Sequence, residues 1–142
     1  MKFTIDQSKL ASALTRIQSA ISNKPTVPIL TNVLIIANAD SITLKATDMD
    51  ISLTCTVECK VDKEGSTTIP AKKFTAIIKQ LPSASITIST DDKDLTSIKC
   101  NKSRFKILGI SDAEFPHDEA FEALSTFTID NHTLKRMIDK IA

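Results

Sequence analysis

The chain has 142 residues, 42% hydrophobic and 25% charged, with two glycines and no tryptophan or tyrosine, which excludes a low-complexity, collagen-like or disordered polypeptide. Eighteen Lys and Arg stand against seventeen Asp and Glu, and a net charge of +1 by itself names no partner. No run of eighteen apolar residues occurs and the N-terminus turns polar at Asp6-Gln7, so the expectation is a cytoplasmic chain of one domain of about 100–150 residues plus a remnant.

Phe3–Ile5 reads as a short strand, and Asp6 or Ser8 is placed to cap a helix. Leu10, Leu14, Ile17 and Ile21 then recur at helical spacing as one apolar stripe, with Lys9, Ser12, Arg16 and Ser19 opposite. The helix is expected to stop by Asn23, ahead of Pro25. Lys24–Pro28 is a stiff connector, and Ile29–Ala37 a largely apolar strand. Asn38-Ala39-Asp40 turns the chain into Ser41–Thr47, where Ile42, Leu44 and Ala46 share one face. Ile51–Cys59 alternates in the same way, so both strands belong to an antiparallel sheet covered on one side. Lys63–Ser66 is expected to be the turn that closes the first unit.

The second unit repeats the order. Thr67–Ile69 is a strand, Pro70 opens a helix, and Pro82 ends it after Leu81. Ile86–Ser89, the turn Asp91–Asp94, Leu95–Cys100, the turn Asn101–Ser103 and Arg104–Ile110 complete the unit. The acidic, Pro-punctuated stretch Asp112–Glu119 reads as the start of a linker, and Phe127 opens a further strand and helix.

The three strand–helix phrases are copies of one another. Ile5, Ile69 and Ile129 superpose, as do Leu10, Phe74 and Leu134, then Leu14, Ile78 and Ile138, then Ile17, Leu81 and Ile141. The fold class expected is therefore α+β: two pseudo-symmetric β-α-β-β-β units with the helices on one face of antiparallel sheet. Residues 1–120 form the domain, with half-repeats of about 1–66 and 67–120. Residues 121–142 form a linker and the first strand and helix of an incomplete second domain.

Charge is sorted along these elements. The helical windows Gln7–Asn23, Ala71–Leu81 and Asn131–Ala142 hold Lys9, Arg16, Lys72, Lys73, Lys79, Lys135, Arg136 and Lys140 against the single acid Asp139, a net +7. The remainder holds ten cations and sixteen acids, a net −6. A one-sided basic face is the footprint of a nucleic-acid partner.

Other chemistry is thin. Cys55, Cys59 and Cys100 are odd in number, lack a C-x-x-C pair and read as small hydrophobes in a reducing compartment. Asp48 and Asp50 could suggest a metal or acid–base pair, but no histidine or third acid accompanies them and a polar turn is the better reading. His117 and His132 are isolated, and no phosphate-cradling or nucleophile motif is present. No cofactor, metal or catalytic residue is expected, and the chain does not read as an enzyme.

Several phrases together resemble the bacterial DNA polymerase III β-subunit family, the replicative sliding clamps. They are Met1–Ile5, Lys24-Pro25-Thr26-Val27-Pro28-Ile29-Leu30, Ala46-Thr47-Asp48-Met49-Asp50, Thr68-Ile69-Pro70-Ala71-Lys72-Lys73-Phe74, Ser103-Arg104-Phe105-Lys106-Ile107 and Glu114-Phe115-Pro116. They follow the family's order and cover almost the whole sequence. The resemblance implies a clamp domain with its helices toward duplex DNA held without sequence preference, and a homodimer ring closed head to tail. It also implies replicative polymerase and clamp loader as partners, captured in a pocket between the second and third domains of the family, outside the residues present here. This sequence spans the first such domain and the start of the second.

The resemblance places Lys24 and Lys72 on the DNA backbone; Lys9, Arg16, Lys79, Lys135, Arg136 and Lys140 are candidates by helix phase alone. Lys73, Lys102, Arg104, Phe105 and Ile107 match the edge that meets the partner subunit, and an open edge strand is a template for pairing. Two other readings are carried: a stand-alone interaction domain using that edge without a DNA role, and, more weakly, a small hydrolase built on Asp48 and Asp50.

Overall fold

Each of the first two Ile-led phrases folds as a strand that runs directly into a helix. In the computed structural model, which describes residues 1–21, 26–118 and 122–142, these are β1 (Lys2–Asp6) with α1 (Gln7–Ile17) and β6 (Gly65–Pro70) with α2 (Ala71–Gln80). Between them lie β2 (Asn32–Asn38), β3 (Ser41–Thr47), β4 (Ser52–Glu58) and β5 (Lys60–Lys63). After α2 come β7 (Ser85–Thr90), β8 (Leu95–Cys100) and β9 (Ser103–Leu108), and α3 (Asn131–Ile141) follows later.

The strands divide between two antiparallel sheets, ordered β5-β1-β7-β8-β9 and β4-β3-β2-β6. The two units exchange their first strands. β1 leaves its own unit to pair with β7, and β6 leaves the second unit to pair with β2. Each sheet thus holds a three-strand meander from one unit joined to the opening strand of the other, and the five-stranded sheet adds β5 outside β1. One hydrophobic cluster runs through both units, with Phe3, Leu10, Leu14, Ile17, Ile35, Ile42, Leu44, Phe74, Ile78, Ile86 and Ile88 fully buried in it. α1 and α2 lie against each other, and their stripes close that core.

Several expectations are corrected. α1 ends at Ile17, short of Asn23, because Gln18–Ala20 tightens into a 3₁₀ turn that brings Ala20 and Ile21 into the core. Asp6 stands at its N-cap, but its side chain accepts no capping bond; the Gln7 amide donates to the Ala84 carbonyl at 3.0 Å. The strand expected from Ile29 starts at Asn32, since Pro28–Thr31 forms another 3₁₀ turn and the Thr31 hydroxyl donates to the Pro28 carbonyl at 2.7 Å. The turn expected at Lys63–Ser66 shrinks to Glu64 between β5 and β6, with Gly65 at φ +148°. β5 itself is an addition: Lys60–Lys63 pairs with β1.

The acidic stretch from Asp112 is no linker as far as it is described. Phe115 is buried in a second cluster with Ile29, Leu30 and Leu34, the Ser66 hydroxyl donates to the Asp112 carboxylate, and Lys45 pairs with Asp118 at 3.3 Å. The expected domain boundary at residues 120 and 121 and the connector's Lys24-Pro25 lie outside the described residues. Of the third copy, the helix forms where expected, capped by Asp130, whose carboxylate accepts from the Thr133 amide at 2.9 Å. Its strand does not form: Phe127–Ile129 joins no ladder among the described residues.

Candidate nucleic-acid interface

The apolar stripes decide where the basic residues go. With Leu10, Leu14 and Ile17 turned inward, Lys9 and Arg16 are left exposed on α1. They are seven positions apart, hence on one line about 10 Å long. With Phe74 and Ile78 inward, Lys72, Lys73 and Lys79 are exposed on α2, and Lys72 and Lys79 repeat the same spacing. Lys9 and Arg16 line a groove of about 320 Å³ shared with Thr56 and Glu58 of β4. Lys72 borders a small cleft between the helices with Gln18 and Thr75. None of these five cations is ion-paired among the described residues.

Lys135, Arg136 and Lys140 are exposed on α3, which buries none of its residues. Its stripe residues Leu134, Met137, Ile138 and Ile141 are exposed as well, whereas the counterparts of Leu134 and Ile138, which are Leu10 and Leu14 on α1 and Phe74 and Ile78 on α2, are core. Lys24 lies outside the described residues.

The expected edge exists. Among the described residues β9 is the outermost strand of its sheet and pairs only with β8 along Ser103–Leu108. Lys102, in the turn before it, and Arg104 are exposed, and Phe105 is 37% exposed. Ile107 is a correction: at 7% exposure it belongs to the domain's own core, because it sits opposite buried Thr96 on the inward face. Leu108, 66% exposed, is the apolar residue the edge presents on its other face, which the sequence reading passed over. Lys73 stands on α2.

The acids have structural work. Asp48 Oδ1 accepts from the amides of Asp50 at 3.0 Å and Ile51 at 2.7 Å, closing a turn in which Met49 has φ 80°. Asp91 Oδ1 accepts from the amides of Lys93 at 2.8 Å and Leu95 at 3.0 Å, which hold its carboxyl below the usual carboxylate range. Among the described residues no group of three His, Cys, Asp or Glu is arranged to hold a metal ion. Cys55 and Cys59 are half-buried free thiols on β4 and just beyond it, and Cys100 is a buried one. No helix among the described residues is long and apolar enough to cross a membrane.

What the helix face can do chemically is set by charge alone. Flexible, unpaired Lys and Arg on two adjacent helices reach phosphate without reading base edges.

Residues 1–119 match the family described as DNA polymerase III beta subunit, N-terminal domain. The chain is 31% identical over 140 residues to the beta sliding clamp of Chlamydia muridarum, covering 99% of this chain and 38% of that relative. It is 31% identical to the beta sliding clamp sequence of Vibrio harveyi, covering 97% of it. Among solved structures, the sliding clamp of Bartonella birtlesii bound to griselimycin superposes with a TM-score of 0.94 at 31% identity, over 98% of this chain and 37% of that one. The chain therefore spans little more than a third of the length of most of the relatives it matches.

Proposed function

Because the chain belongs to the bacterial sliding-clamp family, the DNA polymerase III β subunits, we propose that it supplies the first domain of a ring that encircles duplex DNA and tethers the replicative polymerase. Support comes from the unpaired cations Lys9, Arg16, Lys72 and Lys79, exposed on two adjacent helices whose other faces are core. Such a surface holds the duplex through its phosphates, weakly enough to slide, and its role is mechanical rather than catalytic. Lys24, Lys135, Arg136 and Lys140 extend the set. The open β9 edge, with Lys102, Arg104 and half-exposed Phe105, and with Lys73 nearby in sequence to the DNA set, is the surface offered to a second subunit. Residues 121–142 stand as the linker and opening helix of a second unit, a reading supported by the uncovered stripe of α3. Polymerase and clamp loader engage elsewhere in the ring.

The same edge would also serve a stand-alone interaction module, which would ignore DNA. The two readings part on topology. In a full-length chain carrying these residues, loaded protein is retained on circular duplex and lost from the same duplex once linearised. Lys24→Glu with Lys72→Glu shortens that retention. Equal retention on circular and linear DNA would overturn the ring reading.

A further inference from the structure

The outer face of the five-stranded sheet departs from the sorting of charge into basic helices and an acidic remainder. Its register aligns two neighbouring outward rungs: Lys2, Ser89, Ser97 and Lys106 in one, and Thr4, Thr87, Lys99 and Arg104 in the next. The rung between them is Phe3, Ile88, Ile98 and Phe105, on the opposite, core-facing side. In the first rung two serine hydroxyls lie between two lysines; in the second, threonines on β1 and β7 stand beside Lys99 and Arg104 on β8 and β9. A groove of about 600 Å³ opens there, lined by Ser89, Ser97, Lys99, Arg104 and Lys106 together with Asp91 and Leu95.

Lys99 is directly opposite Arg104, about 5 Å away across the ladder. Arg104 and Lys106 share a face two residues apart, about 7 Å along the strand. Like charges so placed repel, and none of the three is ion-paired among the described residues. Asp91, whose Oδ1 accepts from the amides of Lys93 and Leu95, offsets one of these charges through its attraction to Lys106, and the three cations against one carboxylate leave the groove net positive. One guanidinium fork, two ammonium groups and two serine hydroxyls thus converge on a single groove with donors to spare. A carboxylate offers two oxygens at one point; a chain of phosphoryl groups offers charged acceptors along the whole span. No aromatic ring lines the groove, so a nucleobase would find nothing to stack on.

We propose that this groove binds a linear oligophosphate anion, with Lys99, Arg104 and Lys106 holding its charge and Ser89 and Ser97 donating hydrogen bonds to it. The site is separate from the helix face. It shares only Arg104 with the proposed subunit edge, so Lys99 and Lys106 are the residues to change.

The test is titration of the isotopically labelled chain with sodium tripolyphosphate, followed by amide NMR. The expected result is saturable shifts of Ser97, Lys99 and Lys106, with affinity falling about tenfold or more in the Lys99→Gln/Lys106→Gln double variant and unchanged in Lys45→Gln. Hexaglutamate, of comparable charge, is expected to bind at least about tenfold more weakly. The proposal is overturned by the absence of saturable shifts on β8 and β9, by undiminished binding in the double variant, or by hexaglutamate binding as tightly as tripolyphosphate.

Discussion

Gly109 runs hard against Thr68 where the two sheets meet. The Thr68 amide donates to the Ile110 carbonyl and the Ile110 amide donates back to Thr68, each at 3.2 Å, and a Cβ on Gly109 would overlap the Thr68 carbonyl oxygen. The obstacle is backbone, so no side chain can swing away. Gly109→Ala is expected to destabilise the domain by about 3 kcal/mol, read as a lower urea midpoint. An unchanged midpoint would show that this seam is not where the sheets are fastened.

The repeated phrase gives a matched pair of substitutions. Phe74 and Leu134 occupy the same position in two copies, yet Phe74 is fully buried and Leu134 is 41% exposed. Phe74→Ala is expected to cost about 3–5 kcal/mol and Leu134→Ala well under about 1 kcal/mol in the same denaturation experiment. Equal costs would mean that the stripe of α3 is covered in solution.

The exchange of first strands makes each half depend on the other. β1 has its full ladder only with β7, and β6 only with β2. Separate polypeptides of residues 1–64 and 65–142 are expected to show no cooperative unfolding alone and to regain it when mixed. A half that unfolds cooperatively by itself would contradict the intertwined core.

Cys59 offers a pH-dependent probe. Its thiol is pushed up first by burial and then by the Asp40 carboxylate, with Lys9 opposing. A raised thiol pKa favours the protonated form. Its contribution to stability is therefore present below the unfolded thiol's pKa and fades as pH rises through the folded one. At mildly alkaline pH, Cys59 is expected to react with a disulfide reagent more slowly in the folded chain than in urea, while buried Cys100 reacts only on unfolding. Cys59 reacting equally fast in both states would remove the assigned environment.

Much of the fold was legible because its signals are local. Alternation alone delimits β3 at Ser41–Thr47 and β8 at Leu95–Cys100, and the apolar stripes locate all three helices. What escaped depends on contacts distant in sequence. β5 has only Val61 as an inward apolar residue and becomes a strand through β1. Phe115 folds back onto Leu30 and Leu34 from a stretch whose composition reads as linker. Phe105 and Ile107 share an alternation phase, but which of them the core covers depends on where β9 sits in its sheet. The same division holds for the site. Helix phase exposes Lys9, Arg16, Lys72 and Lys79 correctly, whereas the cationic groove exists only once β7, β8 and β9 are in register.

The central claim, that the basic helix face meets DNA, is tested most directly by the salt dependence of binding to a labelled duplex, followed by fluorescence anisotropy. The chain is expected to bind weakly, with affinity falling steeply as salt rises. Lys72→Glu with Lys79→Glu should weaken binding and lower the magnitude of the logarithmic salt slope by about two units, while Lys45→Glu, on the face of β3 opposite buried Leu44, changes neither. An unaltered slope and affinity in the helix variant, or an equal loss in Lys45→Glu, would contradict it.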